Sequence, residues 1–168
     1  YYHFAGATNK GGLEYNNSSN ILKLGAASQL VFATNNYDTE RARIDSSGRL
    51  LVGTSTARTN FFNTSNTVAV QIEGTSYQTA SLGIISTGNT SFHQGTLVLA
   101  KGRGTSNGSN TIVQSDDTTG YISFQGNDGS EFVVCAVISS QVDGTPGAND
   151  MPGRLVFSTT ADGAASPT

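Results

Sequence analysis

Tryptophan is missing from the sequence, methionine and cysteine occur once each, and proline three times in 168 residues. The lone Cys135 excludes an intrachain disulfide framework, and inside the apolar run FVVCAVI (132–138) it is expected to be a small buried hydrophobe. Charge is also scarce: Asp, Glu, Lys and Arg make up 12% of the chain, against a typical ~25%. The net charge is −3, the isoelectric point is near 5.2, and the nine Lys and Arg are scattered. Phosphate neutralisation needs clustered positive charge, so no nucleic-acid partner is expected. No run approaches the ~18 apolar residues of a spanning helix, so no membrane insertion is expected. The opening YYHFAGATNKGG has neither a basic leader nor an apolar core, unlike a signal peptide.

Apolar side chains are few as well. Leu, Ile, Val and Phe supply 37 residues, or 22%, close to the ~20% at which compact folding becomes doubtful. What fills the chain instead is Ser, Thr, Asn and Gly, 75 residues together, with 6 Tyr and 8 Phe among them. A hydroxyl-rich, weakly charged chain with aromatics suits stacked β-structure better than a solvated coil. With so little apolar surface for a private core, stability is expected to come in part from association with identical copies.

Apolar residues are nowhere sustained at i, i+3, i+4, i+7, so helices are not expected. Strands are expected at 21–24, 29–34, 40–44, 50–52, 67–73, 80–86, 96–100, 111–114, 121–125, 131–142 and 154–159, separated by Gly, Asn, Asp and Ser. ERARIDSSGRLLVG (40–53) reads as a hairpin, with Ala42 and Ile44 on one face, Arg41 and Arg43 on the other, and Gly48 closing the turn at positive φ. Three symmetry-related copies would place Ile44 and Leu51 in a common interior. TSTARTNFFNTSNT (54–67) reads as a linker or a crossing between chains. In EFVVCAVISSQVD (131–143), Phe132, Val134, Ala136 and Ile138 are expected on one face, and Val133, Cys135 and Val137 on the other. Apolar residues on both faces call for cover on both sides.

No site chemistry is expected. Gly102, Arg103, Gly104 and Gly108 lack the following helix that a phosphate-cradling loop needs. Asp116, Asp117, Asp128 and Glu131 could form a glycosidase-type carboxylate pair, but each sits in a turn-like context. His3 and His93 have no ligand at metal spacing, GNDGSE (126–131) has too few oxygen donors for a calcium loop, and no Gly-x-Ser-x-Gly elbow occurs. Hence no catalytic residue, metal or cofactor is expected. Tyr15, Tyr37, Tyr77, Phe61, Phe62 and Phe92 could stack on sugar rings if exposed, although packing is the first expectation for each.

The chain also repeats itself: LVFAT (30–34) returns as LVFST (155–159), each followed by a polar turn. TERARIDSSGRLLVGTS (39–55) resembles the ERMRIDSSG-plus-strand pattern of tailed-bacteriophage tail fibres, particularly those of marine and cyanobacterial viruses. The final stretch 142–168 is similar to the segment that commonly precedes that pattern; the two cover about 45 residues, and 102–129 is similar more diffusely. The resemblance implies an all-β, elongated, intertwined homotrimeric fibre segment with short hairpin repeats and a central β-sheet region. Such fibres often end in an intramolecular chaperone that cuts itself off, but its motif is lacking here, so no residue is assigned self-cleavage. The expected organisation is shaft repeats over 1–53, a linker over 54–66, a central β-rich region over 67–152 and, from 153 to 168, the start of a further repeat in a longer chain. Trimer-interior candidates are Ile44, Leu51, Phe132, Val134, Ala136 and Ile138. The expected role is structural, in a virion tail, with other tail proteins as partners. A module binding a host-surface glycan, a polysaccharide depolymerase and a non-viral surface adhesin are the alternatives.

Overall fold

A computed structural model describes residues 11–16, 21–26, 28–36 and 38–168; side chains at 11 and 13–16 are outside this description, as are His3 and Tyr37 and the side chain of Tyr15. The described residues contain strands and no helix. The chain divides into two compact units, Tyr1–Arg58 with Thr67–Leu82, and Thr59–Asn66 with Gly83–Thr168.

The first unit holds two sheets. β1 (Gly11–Asn16) pairs antiparallel with β2 (Ile21–Ala26). β1 was not expected, because its glycines and asparagine carry little strand signal. The second sheet has the order β3 (Leu30–Thr34), β4 (Thr39–Ile44), β5 (Leu50–Val52), β6 (Val70–Ile72), antiparallel except for the parallel β5–β6 pair. The β4–β5 turn forms as its residues dictate. The Asp45 carboxylate accepts N–H bonds from Ser47 at 2.9 Å and Arg49 at 3.0 Å, Arg49 Nε donates to its other oxygen at 2.7 Å, and Gly48 adopts φ 78°. An Asx-type turn with glycine in the left-handed region needs these residue types in this order.

The second unit is built on one antiparallel sheet, β7 (Thr118–Asn127), β8 (Phe132–Val142) and β9 (Gly153–Thr159), with long β8 in the centre. Among the described residues few apolar side chains are buried: Leu51 in the first unit, and Val113, Val134, Val137 and Val142 in the second, of which Leu51 and Val142 are fully enclosed. After β9 the chain turns back, and Thr168 N–H donates to the Thr159 carbonyl at 3.4 Å.

Three expected strands do not form. Residues 80–86, 96–100 and 111–114 run without strand structure although their composition favours it. A strand exists only when its amides and carbonyls meet a neighbour's. Between residues 81 and 100, one backbone pair is made, His93 N–H to Thr90 O at 3.4 Å.

Candidate functional site

Residues directly opposite each other in a sheet share a face, so the register sorts every side chain. In the first unit's larger sheet, Leu30, Ile44, Leu50 and Val70 are successive partners, as are Phe32, Ala42, Val52 and Ile72. All eight lie on one face, and all are apolar. Phe32, Ile44, Leu50 and Val70 are exposed there and the other four are half-buried.

The opposite face carries Val31, Arg43, Leu51 and Gln71. Leu51 is 0% exposed, and the buried Gln71 accepts from Arg58 N–H at 2.9 Å and donates to Glu73 at 2.7 Å. Arg58 thus lies against the Leu51–Gln71 part of this face. Ile44 and Leu51 therefore fall on opposite faces, because Leu51 stands against Arg43 and Leu50 against Ile44. The register also shifts so that Ala33 pairs with Glu40, which makes Arg41 a bulge rather than a regular member of the arginine face. The bulge brings Glu40 and Arg43 to the same face, where they form an ion pair that holds the Glu40 carboxyl below its ordinary range.

The second unit's sheet repeats this division. Phe124 stands opposite Ala136 but Gln125 opposite Val134, so Cys135 is the extra residue of a bulge. Strict alternation ends there: Ala136 and Ile138 join Ile122, Phe124, Leu155 and Phe157 on one face, while Phe132 and Val134 fall with Tyr121, Gln125, Val137 and Ser139 on the other. Cys135 itself is exposed, with Sγ 3.1 Å from the Phe124 carbonyl oxygen, which corrects the buried reading. Residues 59–66 cover the second face. Phe61 stacks on Phe132 with centroids 5.3 Å apart, Phe62 tilts against Tyr121 at 6.4 Å, and Asn60 and Asn63 exchange backbone bonds with Phe132 at 2.8 Å.

The first of these faces stands open. Leu155 is 66% and Phe157 71% exposed, and Ile122 and Phe124 are exposed beside them. It carries no charged residue. The repeated Leu-Val-Phe motif explains the likeness between the sheets, since in β3 and in β9 its Leu and Phe both point to the open face.

The polar candidates serve local structure. The buried Asp117 carboxylate receives Lys101 Nζ at 2.7 Å, Arg103 Nε at 2.7 Å and Nη2 at 3.0 Å, and Gln114 N–H at 2.9 Å, which together hold it well below the carboxylate range. Asp116 and Asp143 both take Arg154, at 2.9 and 2.6 Å. Asp128 accepts the N–H groups of Ser130 and Glu131 at 2.8 and 2.9 Å. The glycines of 102–108 lie in a turn where Ser109 N–H meets Ser106 O, and no helix follows them. Among the described residues no three His, Cys, Asp or Glu gather as a metal site.

Of the six interior candidates, Ile44, Ala136 and Ile138 lie on the open apolar faces, while Leu51, Phe132 and Val134 lie on the faces the chain covers itself. Phe32, Leu155 and Phe157 also belong to the open faces. The repeated Leu-Val-Phe motif was their signal. Compared with known proteins, the chain matches no family model and no curated sequence.

Proposed function

We propose that this chain is a structural segment of a homotrimeric fibre, of the kind that bacteriophage tails extend to a host surface. The observation that carries the reading is the pair of uncharged apolar sheet faces, one in each unit, left open while Arg58 in the first unit and residues 59–66 in the second pack on the opposite faces. Fibre character itself rests on the ERARIDSSG hairpin and the repeated Leu-Val-Phe strand, which are the residues of the tail-fibre resemblance.

In this reading the work is mechanical. Backbone ladders and apolar stripes shared between copies resist bending, while hydroxyl-rich turns hydrate the outside. Sedimentation equilibrium tests it: the expected particle is about 52 kDa, three times 17.4 kDa, and a persistent monomer would overturn the proposal.

A second reading, binding of a surface glycan, is favoured by Tyr77 and Phe92, whose rings stand 82% and 85% exposed. A glycan array on the assembled protein tests it, with binding expected to fall in Phe92→Ala if that ring stacks on a sugar.

A further inference from the structure

Two features of the second unit lack counterparts in their own chain. One is the open face of β7–β8–β9. The other is the segment 83–100, GIISTGNTSFHQGTLVLA, eighteen residues without one Asp, Glu, Lys or Arg. Its apolar side chains point into solvent, with Ile85 at 89% exposed and Phe92, Leu97 and Val98 all exposed. Its backbone makes one internal pair, His93 to Thr90. Composition encodes strand at 96–100, yet these residues form no strand pairing. An apolar segment with few backbone partners and an apolar sheet face touched only at its Gly120 margin have the same remedy.

We infer that residues 83–98 of one copy lie across the open face of a second copy, over Ile122, Phe124, Ile138, Leu155 and Phe157. The inference rests on the homotrimer proposed above and names what meets this face within it.

Two observations favour a second copy of this segment as the occupant. Both surfaces are uncharged, so burying one against the other strands no ion. The segment's own last turn shows the mode of contact: Leu99 lies over Gly120 at the margin of the same face, where a Cβ on Gly120 would come within 3.1 Å of Leu99 Cβ. A groove of about 510 Å³ lies between residues 98–101 and 118–121 at this point, and the face beyond it is open. Exchange of an identical element between copies is also a low-cost route to association.

The test uses the full chain with Cys135→Ser, Ile85→Cys and Phe157→Cys combined, treated with a flexible bis-maleimide. If the segment is donated, denaturing gels show covalent dimers and trimers. Unlinked chains, or linkage confined to looped monomers, would overturn the donation. Native mass, measured in parallel, separates the two claims: a monomer sinks the homotrimer as well, while an unlinked trimer sinks the donation alone. Hydrogen exchange on the unmodified protein adds a reading that needs no variant. Amides of 83–98 are expected to exchange at least about tenfold more slowly in the assembled particle than their single internal bond allows. Fast exchange in a verified trimer also overturns the inference.

Discussion

Asp117 shows how single residues carry stability here. Four donors from Lys101, Arg103 and Gln114 converge on its carboxylate, and they hold the 101–114 loop beside β7. A carboxyl whose folded pKa lies below its unfolded value adds stability that is present above the ordinary Asp range near pH 4 and is lost as pH falls through that range toward the folded value. Glu40, Asp45, Glu73 and Asp128 are lowered in the same sense, the first three by hydrogen bonds from Arg43, Arg49 and Arg58 and the last by backbone N–H groups. The melting temperature is therefore expected to hold between pH 5 and 7 and to fall steadily below about pH 4. In Asp117→Asn, amide exchange at Arg103 and Gln114 should rise several-fold, and part of the acid dependence should vanish. Leu51 gives the apolar counterpart: fully enclosed, it should cost about 2–5 kcal/mol on Leu51→Ala, read by urea unfolding. Leu51 was legible as an interior residue; Asp117 was not. Asp117 reads as one more turn carboxylate beside Asp116 until its neighbours along the chain, sixteen and fourteen residues earlier, are placed against it.

Elements are where sequence reading went furthest and where one extra residue changed the outcome. Eight of the nine strands lie within or around expected segments, because alternation, β-branched content and Gly or Asn punctuation are local signals. The bulges at Arg41 and Cys135 are not local signals. Each shifts the partner count by one, so side chains on one side of the bulge change faces relative to those on the other. That is why Phe132 and Val134 fall on the face where Phe61 stacks on Phe132 rather than joining Ala136 and Ile138. Glycine geometry supplies a test at this scale. Gly48 and Gly53 both adopt positive φ, but the space at Gly48 is open whereas a Cβ on Gly53 would strike the Glu73 carbonyl oxygen. Gly48→Ala is expected to cost about 1 kcal/mol, and Gly53→Ala at least about twice that, with loss of the β5–β6 pairing in hydrogen exchange.

For the whole molecule, the open faces make specific demands on the proposed assembly. Phe32→Asp and Phe157→Asp each place carboxylates where apolar faces are proposed to meet, so each should shift the particle toward monomer in light scattering. Val31→Asp, on the opposite face of β3, should change mass less. Because neither open face carries charge, the assembled mass should be insensitive to salt between 0.05 and 1 M, unlike an interface held by ion pairs. The sequence by itself determined the all-β character, the DSSG hairpin and the shortage of apolar residues for a private core, since propensity, turn chemistry and composition act within a few neighbouring residues. Only the tertiary structure decided which apolar residues the chain covers for itself and which it leaves open. Face assignment depends on register, register depends on bulges and pairing partners far apart in the chain, and no local pattern carries that count.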